Sequence, residues 1–359
     1  MKSIKILLLA LLVSAVFYFT LWPVAMSPEP WDAPKNEGYN GKFSSNTLLS
    51  SMALLDMGSD YGPEDFAINT NGDVATSSHS GFILVKKPDD NGFTRWVNTQ
   101  GRPLGIEYDH EGNLIVADAM KGLLQISPDG KIQTLVNEIN GRPLVFADDV
   151  DIAPDGTIYF TDATSKFSPA EHGGTLSASM LEIFEHAGNG RVIAYSPLNG
   201  QITVLAENLV FANGITLSHD NRSLLVNETG KYRVLRIALS GEHRGRVHTL
   251  IDNLPGFPDN ITAANDSYLV GLASPRSEVV DALSNYPLIR KMVQRLPSFM
   301  RPSAKAYGHL IRIDDDGNVL QTYQDPSGAF PLVTGALETD LGLYISSLTA
   351  KNVGFLALP

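Results

Sequence analysis

A repeated pair of short strands is the feature that most constrains this chain. Each copy has an alternating apolar strand, a tight turn and a second alternating strand, as in "DDVDIAPDGTIYFTDA". The six copies begin at residues Glu64, Leu104, Asp148, Asn213, Asp259 and Gly335. A further strand pair follows each copy, and uninterrupted copies start about 40 to 45 residues apart, the period of a four-stranded propeller blade. The sequence therefore predicts an all-β fold, a six-bladed β-propeller.

The composition agrees with a turn-rich β protein and excludes several functions. Charged residues make up 18% of the chain, which contains 31 Gly and 21 Pro. A net charge of −12 disfavours nucleic acid as a partner, because acidic surfaces repel phosphate backbones. The chain has no cysteine, which excludes disulfides, thiolate catalysis and cysteine-ligated zinc.

The N-terminus predicts a membrane anchor. Lys2 and Lys5 precede an uncharged stretch at 6–26, and acidic Glu29 and Asp32 follow it. This pattern predicts a single-pass signal anchor at 1–26 with the body on the non-cytoplasmic side. If the stretch were instead a signal peptide cleaved after Ala25-Met26-Ser27, the protein would be secreted. The remaining chain divides into a linker with a lead-in strand at 27–58 and the propeller at 59–359.

Two long insertions interrupt the repeat, at 167–190 and 277–308. Such insertions are lids, binding loops or decoration. The second has apolar residues at helical spacing beside Arg290, Lys291 and Arg295, which predicts a helical insertion before the last blade. A helix of this kind either packs on the top of the propeller or rests on a membrane surface. The apolar residues of both insertions suggest pocket walls for an apolar substrate, at Phe167, Leu181, Phe184, Leu288 and Met292.

Polar residues open most copies of the repeat, where the innermost strands of a propeller converge on its axis. They are Glu64 with Asp65, Asp148 with Asp149, Asn213, and Asp259 with Asn260. Carboxylates gathered at one place repel one another unless a cation neutralises them. Oxygen donors select a hard cation, and Ca²⁺ is the natural occupant, while Mg²⁺, Mn²⁺ and Zn²⁺ are less suited to this set.

Five motifs, in this order, resemble the strictosidine synthase-like branch of the calcium-dependent six-bladed propellers, the superfamily that includes gluconolactonases and paraoxonases. They are "GPEDF", "RPLGI", "FADDVDIAPDGTIYFTD", "FANGITLS" and "LPGFPDNI". The resemblance implies central calcium ligands at Glu64, Asp148, Asn213, Asp259 and Asn260. It also implies a second, structural calcium that would involve Asp65 and Asp149.

Two positions depart from the catalytic pattern of these relatives. The histidine of paraoxonases matches Leu104, and the glutamate of strictosidine synthases falls near Thr334. We therefore expect no strictosidine synthase condensation. The resemblance implies a calcium-dependent hydrolase of small-molecule lactones or esters, with Asp259 as the catalytic base. The alternative is a non-catalytic propeller that calcium stabilises as a binding scaffold. The sequence leaves the oligomeric state open.

Overall fold

The computed structural model describes residues 2–358, and within this range the strands form six four-stranded antiparallel sheets. The innermost strand of each sheet contacts the innermost strands of both neighbouring sheets, which closes a ring. The predicted all-β, six-bladed propeller is therefore confirmed.

The strands of blades 1 to 5 run in chain order from the axis outward, whereas blade 6 takes its outermost strand from the N-terminal side. In the first half of the ring they are β1 (Ala53–Asp56), β2 (Phe66–Ile68), β3 (Val74–Ser77), β4 (Phe82–Lys86), β5 (Thr94–Asn98), β6 (Pro103–Tyr108), β7 (Leu114–Asp118), β8 (Gly122–Ile126), β9 (Ile132–Val136), the small ladder β10 (Glu138–Ile139) and β11 (Arg142–Pro143), β12 (Ala147–Ile152), β13 (Ile158–Asp162), β14 (Gly190–Ser196) and β15 (Gln201–Leu209). In the second half they are β16 (Ala212–Leu217), β17 (Ser223–Glu228), β18 (Arg233–Ala238), β19 (Val247–Ile251), β20 (Gly256–Ala264), β21 (Ser267–Pro275), β22 (Gly308–Ile313), β23 (Val319–Asp325), β24 (Val333–Thr339), β25 (Gly342–Ser347) and β26 (Asn352–Ala357). Blades 1 to 5 are β2–β5, β6–β9, β12–β15, β16–β19 and β20–β23.

Blade 6 joins the two ends of the propeller. Its strands are β24, β25, β26 and, outermost, β1 from the N-terminal side, with Ala53 opposite Phe355 and Asp56 opposite Asn352. The lead-in strand thus completes the last blade. Backbone hydrogen bonds between chain segments so distant in sequence close the ring, which removes a sheet edge that would otherwise lie open.

The core consists of apolar layers between neighbouring blades. The layer between blades 1 and 2 is typical: Ala75 and Ile83 from blade 1 meet Ile106, Val116 and Leu124 from blade 2. Five similar layers separate the other blades. A seventh apolar cluster lies over one end of the channel and includes Phe146, Phe167, Phe184 and Phe211. This cap core attaches the insertions to the ring.

The described residues contain five α-helices, all outside the ring of strands. They are α1 (Lys2–Leu21), α2 (Pro169–His172), α3 (Thr175–Glu185), α4 (Glu278–Ala282) and α5 (Pro287–Gln294). None of the residues of helix α1 is buried, and the helix is long and apolar enough to cross a membrane. The first insertion, with α2 and α3, joins β13 to β14, and the second, with α4 and α5, joins β21 to β22 inside blade 5.

Both insertions lie on the same face of the propeller. In an antiparallel blade the chain reverses at each turn, so the second connection lies on the face opposite the first and third turns. The inner strand of each blade also begins on the face of the second connection. We name this the upper face; it carries the insertions and the beginnings of all inner strands.

Candidate metal centre

The inner strands begin with a backbone irregularity that buries two neighbouring polar residues. In blades 2 to 6 the pairing of the first two strands shifts register near its start, for example between Ala147 and Val150 and between Pro258 and Ile261. A β-bulge of this kind lets two consecutive residues face one partner residue, which breaks the usual alternation of faces. Asp148 with Asp149, and Asp259 with Asn260, are consequently all buried.

The close approach of inner strands explains a glycine in one of the motifs. A Cβ atom on Gly214 would lie 2.6 Å from the Asn260 Cα atom and 2.5 Å from the Ile261 backbone nitrogen. Any side chain here would push blade 5 away from blade 4. The glycine of "FANGITLS" therefore allows Asn213 to approach Asp259.

The five side chains predicted as central ligands lie together at the upper end of the channel, and we name them the central cluster. The Asn213 Nδ2 atom donates to the Asp259 Oδ1 atom at 2.8 Å, and the Asn260 Nδ2 atom donates to the Glu64 Oε1 atom at 3.0 Å. The fifth residue, Asp148, lines the same pocket as Glu64, Asn213 and Asp259. Hydrogen bonds thus orient both amides, so that each uses its nitrogen on a carboxylate and leaves its oxygen free.

Four oxygen atoms of this cluster are buried without a hydrogen-bond donor in the part of the chain that the structure describes. They are Glu64 Oε2, Asp148 Oδ2, Asn213 Oδ1 and Asn260 Oδ1. A buried acceptor without a partner costs about 1 to 3 kcal/mol, and four at one place would be a large penalty. A hard cation removes this penalty, so the donor set fits an ion such as Ca²⁺. Within residues 2–358, no three His, Asp or Glu side chains form a metal-binding group by themselves, so an ion here would also need the amide oxygens.

Burial and mutual repulsion control the protonation of the cluster. Burial, followed by the charges of Asp259 and other nearby carboxylates, raises the pKa of Glu64 well above its ordinary value. The same two causes raise the pKa of Asp148. Burial raises the pKa of Asp259 to about 7, although the hydrogen bond from Asn213 opposes this shift. The buried guanidinium of Arg102 lowers all three values without cancelling the effect of burial.

These shifts predict an unusual pH dependence of stability when no metal is bound. Because the folded-state pKa of Asp259 and that of Asp65 are about 7, against about 3.9 in the unfolded chain, the folded state retains protons that the unfolded state has released. In a chelator, the free energy of unfolding should therefore fall as the pH rises from about 6.5 to 8. The urea midpoint measured across this range tests it, and a midpoint that rises with pH would contradict the assignment.

The lower limit of that pH range follows from two histidines. Burial lowers the pKa of His186 and of His309 to about 3. At acidic pH the unfolded chain therefore binds more protons at these histidines than the folded chain does, and there they make the free energy of unfolding rise with pH. In the unfolded chain both histidines have a pKa of about 6.5, so above that pH they contribute little to the change of stability with pH. Calcium should abolish the decrease in the free energy of unfolding between about pH 6.5 and 8, because a bound ion keeps the carboxylates deprotonated.

An apolar pocket opens above the central cluster on the upper face. Glu64, Asp148, Asn213 and Asp259 contribute to its lining, and the apolar walls come from Leu104, Phe146, Met180, Ile183, Phe211, Phe257 and Val280. The pocket is thus a largely hydrophobic cleft with a few convergent polar groups, as is usual for sites that bind small molecules.

None of the five residues predicted as pocket walls, Met292 included, lines this pocket. Phe167, Leu181 and Phe184 are buried in the cap core, and Leu288 points to solvent with 59% of its surface exposed. The other face of α3 lines the pocket through Leu176, Ser179, Met180 and Ile183. Both faces of α3 carry apolar residues, and the sequence alone does not show which face meets the core.

Asp65 and Asp149 lie one layer further along the channel and line a second pocket with Glu107 and Asp151. Backbone amides of the neighbouring blades bind them: Ile106 donates to Asp65 at 2.9 Å and Ile215 to Asp149 at 2.7 Å. Burial raises the pKa of Asp65 to about 7, and it raises those of Asp149 and Glu107 well above their ordinary values. This layer therefore places four carboxylates below the central cluster.

Glu107 and Asp151 were not among the residues predicted from the sequence. Each lies three residues after the start of its repeat, at Leu104 and Asp148. An acidic residue at this register in two consecutive inner strands is the signal that would have found them. Asn227 was also missed; it comes from the second strand of blade 4, and its Nδ2 atom donates to the Asp259 backbone oxygen at 2.7 Å.

Comparisons with known proteins agree with this architecture. The family model described as strictosidine synthase matches residues 148–242, and that described as strictosidine synthase-like, N-terminal, matches residues 41–85. Among solved structures, a gluconolactonase from Xanthomonas campestris superimposes with a TM-score of 0.62 at 16% identity, covering 86% of this chain and 89% of that one. A calcium-binding protein, regucalcin, from Agrobacterium tumefaciens gives 0.55 at 13% identity, covering 79% and 81%. At sequence identities this low, the structural similarity establishes a shared fold.

Two curated relatives are similar in sequence over most of their length. The adipocyte plasma membrane-associated protein of Salmo salar is 33% identical over 366 residues, which cover 95% of this chain and 85% of the relative. Protein strictosidine synthase-like 13 of Arabidopsis thaliana is 35% identical, over 78% of this chain and 69% of the relative. The chain therefore belongs to the strictosidine synthase-like family, together with the adipocyte plasma membrane-associated proteins.

Proposed function

We propose that the protein is a calcium-dependent hydrolase of lactones or esters. The observation that carries this proposal is the set of four buried oxygens of the central cluster, without donors among residues 2–358. Three of the residues that carry them, Glu64, Asp148 and Asn213, line the apolar pocket. A cation supplies the missing partner of these oxygens, and the apolar walls suit the hydrocarbon part of an ester or lactone.

The central cluster contains the residues that would hold the ion: Glu64, Asp148, Asn213, Asp259 and Asn260. When bound, calcium supplies Lewis acidity that polarises a carbonyl group and stabilises negative charge on its oxygen. The carboxylates of Asp65 and Asp149 are proposed to take part in a second, structural ion. That layer already has backbone amides bound to its carboxylates, so the second ion has fewer free oxygens to satisfy.

Asp259 is proposed to act as the general base. The Asn213 amide fixes one of its carboxylate oxygens, and the side chain lines the pocket. Without metal, burial raises the pKa of Asp259 to about 7. A bound cation would lower this pKa, so in the loaded site the carboxylate would be ionised and able to accept a proton near neutral pH. Leu104 and Phe146 line the same pocket and exclude water around this carboxylate.

A specific observation favours the alternative of a non-catalytic, calcium-stabilised scaffold. Leu104 lines the pocket where the resemblance places a catalytic histidine, and Thr334 is buried with its hydroxyl bound to the Glu64 backbone oxygen and to Ser346. Neither residue can transfer a proton as histidine or glutamate does. If Asp259 does not act as a base, the ion serves only stability.

Activity and stability measured with and without calcium separate the two proposals. The enzyme hypothesis predicts hydrolysis of members of a panel of aryl esters and aliphatic lactones, lost in chelator and restored by added Ca²⁺. The scaffold hypothesis predicts no turnover together with a melting temperature that calcium raises. At calcium concentrations about 100 times the Kd, the stabilisation should be about 2.7 kcal/mol. A melting temperature that is the same in calcium and in chelator would contradict both.

We also propose that α1 is an uncleaved signal anchor and that the propeller lies on the non-cytoplasmic side. The support is the length and apolarity of α1, the lysines before it and the acidic residues after it. In addition, Met26, at the end of the uncharged stretch, is buried in the cap core. Cleavage after Ser27 would remove Met26 from this apolar cluster, together with the hydrogen bond that the Ser27 amide donates to Glu185.

A further inference from the structure

We propose that the second insertion docks on the bilayer beside the anchor, so that the pocket faces the lipid and takes amphiphilic esters or lactones from the membrane. The docking rests on α1 being a membrane anchor, and the substrate class rests on the proposed hydrolase. Four features of the upper face carry the inference.

The second insertion binds the end of the anchor helix directly. The last carbonyl groups of a helix have no partner within it, and Arg295, just after α5, binds those of α1. Its Nε atom donates to the Trp22 oxygen at 2.7 Å and its Nη1 atom to the Phe19 oxygen at 2.8 Å. In return, the Tyr18 hydroxyl donates to the Arg295 oxygen at 2.9 Å. The insertion thus lies where the anchor leaves the membrane.

The segment after the anchor is short and is held by contacts with the propeller cap. Met26 is buried in the cap core, the Ser27 amide donates to Glu185 Oε2 at 2.6 Å, and the Glu29 amide donates to the Glu185 backbone oxygen at 2.8 Å. Only a few residues therefore separate the end of α1 from contacts with α3. Because of these contacts the anchor cannot act as a long flexible tether, and the upper face stays close to the membrane.

The pocket opens between the same elements. Its walls include Leu176 and Met180 of α3, Val280 of α4, and the segment 302–305 that follows α5. The elements that contact the anchor and its linker are therefore neighbours of the pocket mouth. A surface that approaches the bilayer through α5 also brings this mouth to it.

Exposed apolar side chains cluster on the second insertion. Six lie between residues 279 and 300, namely Val279, Tyr286, Leu288, Ile289, Phe299 and Met300, and we name them the docking patch. Phe299 is the most exposed, at 85%. Basic residues Lys291, Arg301 and Lys305 lie in the same stretch of chain. Apolar side chains flanked by Lys and Arg are typical of protein surfaces that insert into the interface of a phospholipid bilayer, where the basic groups meet phosphates.

A cysteine-free chain allows a direct test in the full-length protein. A single cysteine replaces Phe299 in one variant and Leu198 in the other, and each carries an environment-sensitive fluorophore. Leu198 is 91% exposed and lies in the turn between β14 and β15, on the face opposite the insertions. Both proteins are placed in phosphatidylcholine nanodiscs with and without doxyl-labelled lipid.

We expect the label at residue 299 to emit at shorter wavelength and to be quenched several-fold more than the label at residue 198. Water-like, unquenched emission at residue 299 would overturn the docking. Equal quenching at both positions would overturn it as well, because the propeller would then not present one face to the lipid.

The access route is tested with the double variant L288D/F299D, whose residues lie outside the pocket lining. For a long-chain ester dissolved in the nanodisc, KM should rise several-fold, whereas kcat/KM for a short, water-soluble ester should not change. An unchanged KM for the long-chain ester would overturn access from the membrane. If the unaltered protein hydrolyses neither ester, the hydrolase proposal and the access route both fail, while the fluorescence result still decides the docking.

Discussion

Asp259→Asn should lower kcat for ester or lactone hydrolysis at least about 100-fold at saturating calcium, the usual contribution of a general base. Asparagine has the size of aspartate and keeps an oxygen for the ion, but it accepts no proton near neutral pH. The Asn213 amide, 2.8 Å away, can still donate to that oxygen. The effect should therefore appear mainly in kcat rather than in folding, and steady-state kinetics over a calcium titration measures it.

Glu64→Gln provides the contrast. In the proposal Glu64 only holds the ion, so its substitution should weaken calcium binding and activity should recover as calcium is raised. Asp325→Asn is the control for loss of a buried carboxylate, because Asp325 lies at the end of β23 in blade 5 and binds Ser50 and Ser327. If Asp259→Asn also recovered full activity at high calcium, Asp259 would be a ligand and not the base.

The number of blades could be predicted because each blade carries its own sequence signal. An alternating strand, an Asp-Gly or related turn and a second alternating strand are local features, and they recur in the six copies. The ring closure by β1 and β26 has no such signal, because it depends on hydrogen bonds between backbones rather than on side chains. The sequence could place a strand near Ala53 but not its partner.

The central cluster could be located from the repeat, whereas its surroundings could not. Position within the repeat places Glu64, Asp148, Asn213 and Asp259 at the axis, and the pocket contains all four. The pocket walls depend on how α3 rotates about its own axis, and Leu181 turned toward the cap core while Met180 faces the pocket. The strands recur in six copies, so position within the repeat predicts their orientation. Each insertion occurs once, so no repeat indicates which of its faces meets the core.

The attachment of the insertions could not be predicted because its donors bind backbone oxygens. Arg290 and Arg295 look in sequence like the basic face of an exposed amphipathic helix, yet both are buried. Apart from Ser284, their acceptors are carbonyl groups of residues more than 100 positions away, including Phe184 for Arg290 and Trp22 for Arg295. Every residue has a carbonyl oxygen, so no pattern of residue types marks such a partner.

Arg290→Met should destabilise the cap of the propeller by about 3 kcal/mol or more, because buried carbonyl groups lose a charged donor. The Arg290 side chain is only 1% exposed. Its guanidinium donates to the Phe184 oxygen at 2.7 Å, to the Ser284 oxygen at 3.1 Å and to the Glu29 oxygen. It therefore joins α3, the turn after α4 and the linker at one point. Methionine keeps an unbranched apolar stem, so the change mainly removes the donors.

The loss should concentrate in the cap rather than in the ring, because the blades keep their own apolar layers. Amide hydrogen exchange should accelerate at 26–34 and 278–294 while the inner strands stay protected. Arg301→Met is the matched control, since Arg301 donates one hydrogen bond, to the Leu296 oxygen at 2.8 Å, and its loss should leave exchange at 26–34 unchanged. Unaltered exchange in Arg290→Met would mean that apolar contacts of Met26, Phe184 and Val280 alone hold the cap. A fall in protection across all six blades would instead mean that the cap and ring unfold as one unit, and that the anchor contributes to the stability of the whole propeller.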